Sequence, residues 1–243
     1  MWRMSIRAGA AIALCGAMLL AGCGEVASPR SDRDVTSAEF PAAHRPVSPI
    51  TSSRWSTEEA RDRLNEADRV MDLAGIRPGM TVADIGAGEG YYTIRLAERV
   101  GPKGRVLAQD VVAAVRNRLA ERVYREHLDN VSVKLGAPAD PKLPANSFDR
   151  VLMVHMYHEI GAPYEFLWRM RPSLKAGGQV VIVDAERPTA SHGTPPALLA
   201  CELAAVGYRL SEAKALPQKG TYLRVFEPVG KRPEPGAIRV CKG

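Results

Sequence analysis

Along residues 57–228 the spacing of apolar positions switches repeatedly between helical and strand periods. Ala60, Leu64, Ala67, Val70, Met71 and Ala74 recur at helical spacing up to Gly75, behind Ser56-Thr57-Glu58-Glu59, a run of the S-x-x-E capping form. VADIGAGEGYY, from Val82 to Tyr92, then takes an apolar strand through an acidic residue into three alternating glycines. In TIRLAERV, Ile94, Leu96, Ala97 and Val100 make one helical face, which the breakers of GPKG (101–104) end. RVLAQD, VSVKL and FDRVLMV read as further strands, the last a continuous apolar run of the kind buried on both faces of a parallel sheet. LWRMRPSLKAGGQVVIVD reads as a helix, a Gly177-Gly178 turn and a strand ending at Asp184. TPPALLACELAAVGY is helical, and YRLSEAKAL and TYLRVFEP are strands joined by a short Pro/Gly turn that suits an antiparallel hairpin. Strands alternating with helices and closing in a hairpin predict one α/β domain with a mostly parallel sheet.

The glycines carry the candidate chemistry. At 86, 88 and 90 they let the backbone turn sharply and approach a ligand closely. A dinucleotide fingerprint, G-x-G-x-x-G, needs its third glycine at position 91, where Tyr91 stands, so a nicotinamide oxidoreductase is disfavoured. The pattern is instead D-x-G-x-G-x-G, with Asp84 two residues before the first glycine. This segment resembles the first motif of class I S-adenosylmethionine-dependent methyltransferases, and LKAGG (174–178) departs from that family's LKpGG-like turn only at Ala176. The resemblance covers roughly residues 60–228. It implies a Rossmann-like sandwich on a mostly parallel seven-stranded sheet with a C-terminal antiparallel hairpin, S-adenosylmethionine as cofactor, and a helix before the first strand that covers it. It also implies that Gly86, Ala87, Gly88 and Gly90 pass under the methionine and ribose parts, and that Asp84 serves the methionine ammonium.

Asp110 closes the second strand twenty residues after Gly90, about the offset at which a strand-end carboxylate meets ribose hydroxyls. The same position also suits a cap for the helix that follows. By resemblance Asp140, in GAPADPKLP, contacts the adenine amino group, although Ala137 and Pro138 depart from the commoner G-D-x form; a backbone contact from Ala137 or Ala139, or a plain Asp-Pro turn, are the other readings. Tyr91 either covers the methionine end of the cofactor or packs in the core, and Tyr92 is open in the same way. At the end of the fourth strand, VHMYHEI places His155 and His158 where the family faces donor and acceptor, so either is a candidate base or a residue that only orders the backbone. No metal is expected: His155-x-x-His158 lacks the i, i+4 spacing of a helical zinc pair, and the sequence shows no third ligand.

Residues 1–22 read as a signal peptide, with Arg3 and Arg7 before an apolar run from Ala8 to Leu20. LAGC resembles the bacterial lipoprotein signal, which implies lipidation at Cys23, a lipid anchor in the cell envelope facing the periplasm, and, with Gly24 next, the outer membrane if the source is Gram-negative. Residues 23–55, rich in Ser, Pro and charge, are expected to be a disordered tether. Residues 56–228 form the methyltransferase-like domain and 229–243 a Pro-rich tail. Removing 1–22 lowers the net charge from +6 to +4, which favours an anionic surface weakly, and no clustered basic and aromatic platform suggests nucleic acid. Cys201 and Cys241 are either a disulfide, allowed in an oxidising periplasm, or two unrelated thiols. Two functions follow: a methyltransferase acting on a small-molecule or lipid-like acceptor, or a non-catalytic lipoprotein that holds S-adenosylmethionine or another nucleoside.

Overall fold

The structure is a computed structural model that describes residues 1–2, 31–50 and 57–242. Residues 3–22 of the expected signal peptide, Cys23 with the start of the expected tether to residue 30, and residues 51–56 lie outside the described residues. Residues 32–243 form one compact unit. Its elements in chain order are α1 (Glu58–Arg63), α2 (Glu66–Leu73), β1 (Thr81–Ile85), α3 (Tyr91–Val100), β2 (Arg105–Asp110), α4 (Ala113–Arg125) and β3 (Val131–Leu135). They continue with β4 (Phe148–Val154), α5 (Pro163–Met170), β5 (Leu174–Ala185), α6 (Pro196–Ala205), β6 (Tyr208–Ala215) and β7 (Thr221–Pro228). The sheet order is β3-β2-β1-β4-β5-β7-β6. The pairings from β3 through β5 are parallel, while β7 runs antiparallel to both β5 and β6. The expected seven-stranded sheet with its closing hairpin is the observed one, and β7 lies between β5 and β6.

The central strands β1, β4 and β5 are buried on both faces, which is why they read as apolar runs. Successive side chains alternate faces. Ala83, Val151, Val180 and Ile182 join one core with residues of α5 and α6, such as Leu167 and Leu203. Val82, Leu152, Val181 and Val183 join the other, with Val70 and Met71 of α2 and Leu96 of α3. Going along the chain, β1 to β3 builds the sheet one way and β4 onward builds it the other. The crevice beyond the carboxyl ends of β1 and β4 is thus the switch point, where open α/β sheets bind ligands.

Three local expectations are corrected. The helix before β1 is two helices, because Asn65 takes the left-handed conformation (φ 51°) that Asn tolerates. The cap of α1 is Thr57, whose hydroxyl accepts from the Ala60 N–H at 3.2 Å. The Gly177-Gly178 turn lies inside a continuous β5 as a shift of register between Phe148 and Arg150. A Cβ at Gly178 would come within 2.7 Å of the Phe148 carbonyl oxygen, so only glycine passes there.

The tether expectation also fails for residues 32–50, which pack on the domain as a strap. Val35 joins the core, Phe40 sits edge-on to Trp168 at 5.3 Å, and the Arg45 Nε donates to Glu202 at 2.9 Å. That ion pair is fully buried, and the Tyr157 hydroxyl donates to the other Glu202 oxygen at 2.7 Å. Few large apolar residues are needed when a short segment docks by one buried ion pair, one ring and one buried valine. The tail is tied down as well: Cys241 is disulfide-bonded to Cys201 of α6, and the Trp168 indole N–H donates to the Pro233 carbonyl at 2.8 Å.

Candidate functional site

The loop leaving β1 is shaped by what each glycine faces. A Cβ at Gly86 would lie 2.9 Å from Met156 Cγ, and one at Gly90 would lie 2.5 Å from Leu119 Cδ1, so these two glycines let the loop lie against the end of β4 and against α4. Gly88 differs. Its φ is +56°, which disfavours any side chain, yet a Cβ built there meets no atom within 4 Å. Although half-buried, Gly88 therefore has open space beside it where a ligand can approach the backbone. The Ala87 N–H donates to the Gln109 carbonyl at 2.9 Å, fastening the loop to β2.

Two carboxylates flank this loop. Asp84 is buried at the end of β1, where its Oδ2 accepts from the Thr93 hydroxyl at 2.6 Å. Burial pushes its carboxyl up to about 6, against the opposing pull of the Thr93 hydrogen bond. Asp110 ends β2. Its Oδ2 accepts from the Gly88 N–H at 3.1 Å and its Oδ1 from the Val112 N–H at 2.8 Å. A carboxylate offers about four lone-pair sites, so both oxygens keep capacity for ligand hydroxyls. The cap of α4 is Val112, so Asp110 fastens the glycine loop and the start of the α4 turn rather than capping the helix itself. Asp140 closes a turn: its Oδ1 accepts from the Lys142 N–H at 2.7 Å, and its backbone pairs with Ala137. This loop begins beside Asp110, whose carbonyl accepts from the Gly136 N–H at 3.0 Å.

Tyr91, expected beside the cofactor, turns to α1 instead. Its hydroxyl donates to Asp62 at 2.9 Å, and the Arg61 and Arg95 guanidinium carbons lie 3.8 and 3.9 Å from its ring centroid. Tyr92 likewise donates to Glu66 at 3.0 Å. Glu66 is a junction the sequence reading missed. Its Oε1 also accepts from Arg61 at 2.6 Å and lies 4.0 Å from His155 Nε2. The break at Asn65 lets Arg61 fold back onto Glu66, and nothing in the local sequence marks that ion pair.

The two histidines after β4 have different surroundings. His155 holds a left-handed backbone (φ 55°) and donates its N–H to the Val183 carbonyl at 2.8 Å. Burial lowers its pKa despite nearby Glu66 and Asp184, which leaves the ring neutral near pH 7. His158 is 1% exposed, and its Nδ1 lies 3.0 Å from Asp184 Oδ1. Asp184 is further held by the Thr194 hydroxyl at 2.7 Å. The third partner that the sequence did not offer comes from a distant turn, where His192 sits edge-on to His158 with ring centroids 5.4 Å apart. The structure therefore brings Asp84, Gly86, Ala87, Gly88, Gly90 and Asp110 to one crevice with His155 at the neighbouring strand end, and turns Tyr91 away.

Residues 82–178 match a family model described as a methyltransferase domain. The chain is 42% identical over 85 residues to nocamycin O-methyltransferase of Saccharothrix syringae, which covers 35% of this chain and 30% of that protein. It is 31% identical over 123 residues to the ubiquinone/menaquinone biosynthesis C-methyltransferase of Hahella chejuensis, covering 49% of this chain and 48% of that one. The chain thus spans less than half the length of these two relatives. A SAM-dependent methyltransferase of Aquifex aeolicus, known from its crystal structure, superposes with a TM-score of 0.65 at 27% identity over 70% of this chain and 93% of that one. The fold is thus that of Rossmann-like S-adenosylmethionine-dependent methyltransferases, and residues 82–178 are similar to a methyltransferase domain.

Proposed function

We propose that this class I methyltransferase domain moves a methyl group from S-adenosylmethionine to an oxygen or nitrogen of a small-molecule or lipid-like acceptor. The observation that carries the reading is the bond from the Gly88 N–H to Asp110, which sets an uncovered glycine backbone between two carboxylates at the switch point of the sheet. The site fits the cofactor: Gly88 leaves room where a Cβ would stand, and Asp84 and Asp110 offer anionic acceptors on either side. Asp84, once ionised, pairs with the methionine ammonium. Asp110 takes the ribose hydroxyls on its remaining lone pairs, and the Asp140 turn borders the adenine. Bound S-adenosylmethionine supplies an electrophilic methyl group. His155, neutral near pH 7, takes the acceptor's proton, and Glu66 at 4.0 Å steadies the imidazolium that results. His158, nearly closed off and held by Asp184, orders the strand end.

The same reading places the domain in an oxidising compartment, anchored through a lipidated Cys23 after removal of residues 1–22. The Cys201–Cys241 disulfide supports it, since such bonds persist outside the reducing cytosol. Loss of palmitate labelling in Cys23→Ser is the expected outcome, and an unlabelled wild type would refute the anchor. Activity is tested by incubating the chain with methyl-labelled S-adenosylmethionine and a panel of phenols, quinols, amines and lipid extracts. Labelled product from one acceptor class supports the methyltransferase. Tight cofactor binding with no labelled product across the panel favours the non-catalytic holder.

A further inference from the structure

His158 and Glu159, in the 3₁₀ turn after β4, meet His192, in the segment between β5 and α6. One ligand-capable atom from each lies within 4.8 Å of the others. We propose that these three side chains bind a divalent transition-metal ion of the zinc type. The proposal does not depend on the methyl-transfer reading, because none of the three belongs to the glycine loop or its two carboxylates.

The donor chemistry selects the ion. Two imidazoles and one carboxylate suit zinc and its first-row neighbours, whereas magnesium and calcium prefer all-oxygen sets. The second layer is already built. His158 Nδ1 faces Asp184 at 3.0 Å, and Asp184 is fixed in turn by the Thr194 hydroxyl at 2.7 Å and the Ala185 N–H at 2.9 Å. A carboxylate on one ring nitrogen fixes the tautomer and leaves the lone pair on the other, the arrangement that metal-bound histidines characteristically have. Asp184 is wholly buried, so it holds the His158 ring as a fixed post.

The backbone is clamped to match. Ser48 of the strap donates its N–H to the His158 carbonyl at 3.2 Å, and its Oγ accepts from the His192 N–H at 3.1 Å. One residue thus ties together two ligand-bearing segments that are 34 positions apart in sequence. Metal–nitrogen bonds near 2.1 Å put tetrahedral ligand atoms about 3.4 Å apart, so closure from 4.8 Å requires the half-buried His192 and Glu159 side chains to move inward by roughly an ångström. Three protein ligands leave one or more positions for water or an oxygen donor, at the same end of the sheet as His155.

The test titrates the metal-free full chain with zinc alone by calorimetry, and with cobalt followed by its visible absorption. The expected result is one ion per chain at micromolar or tighter affinity. His192→Gln and Glu159→Gln should each weaken it at least tenfold, and Asp184→Asn about 10- to 100-fold, as for loss of an outer partner. Circular dichroism of each variant checks folding, and because Asp184 is buried, the two more exposed variants decide the matter. Absence of saturable binding overturns the proposal. So does unchanged affinity in both His192→Gln and Glu159→Gln, which would place the ion elsewhere.

Discussion

Asp84 carries opposite demands from folding and from the ligand. Its carboxyl, raised from 3.8 to about 6 by burial, holds a proton in the folded chain over a range where the unfolded chain has lost it. A raised acid therefore favours the folded state most at low pH. That contribution is lost as pH rises from about 4 to 6, and above 6 the ionised group costs on the order of 3 kcal/mol. Asp84→Asn should thus melt higher than wild type at pH 7 but bind S-adenosylmethionine more weakly. Wild-type affinity should fall about tenfold per pH unit below 6 if the ammonium needs the ionised carboxylate, and calorimetry at pH 5 and 7 reads this directly. For His155 the sign is reversed: burial keeps the ring neutral, so the base form is present at neutral pH. With a reactive acceptor, His155→Gln should lower kcat by about 10²- to 10⁴-fold while cofactor affinity stays near wild type. Asp84, Asp110 and the three glycines were legible because their spacing follows directly from strand, turn and helix geometry. Glu66, Asp184 and His192 were not, since their roles come from partners far away in the chain.

At the scale of elements, β2, β3 and β4 begin and end where the sequence pattern placed them: β4 is a largely buried apolar run, whereas β3, a partly exposed edge strand, was legible from its β-branched residues. The misreadings fall where one residue decides. Asn65 breaks a helix whose apolar spacing continues through it, and Gly177-Gly178 bends a strand without ending it. The strap is the largest miss: composition argues for disorder, yet Arg45 reaches Glu202, 157 positions away, in a fully buried pair. Breaking such a pair leaves an uncompensated charge inside the protein. Arg45→Ala should therefore cost about 3–5 kcal/mol by denaturant unfolding, whereas Glu39→Ala, whose carboxylate pairs with the exposed Thr36, should change stability by less than about 1 kcal/mol. Equal, small effects would mean that the strap does not contribute to the folded domain.

For the whole molecule, a disulfide between cysteines 40 positions apart closes the α6–β6–β7 region onto the tail, and loop-closure entropy assigns it about 4 kcal/mol. Cys241→Ser should lower stability by roughly 2–4 kcal/mol and leave cofactor binding unchanged, because α6 packs on the edge strand β6, with β7, β5 and β4 between it and β1. The glycine loop and its two carboxylates sit at the carboxyl ends of β1 and β2, at the switch-point crevice of the sheet. That this crevice binds S-adenosylmethionine is the claim on which the rest depends. Calorimetry of the full chain with S-adenosylhomocysteine and with NAD, in wild type and in Asp110→Ala, tests it most directly. Wild type should bind S-adenosylhomocysteine at a single site with micromolar-class affinity and show no heat with NAD. Asp110→Ala should lose a few kcal/mol of binding, and some stability too, since the Gly88 and Val112 N–H groups lose their acceptor. Binding of NAD alone, or S-adenosylhomocysteine affinity untouched in a folded Asp110→Ala, would contradict the account.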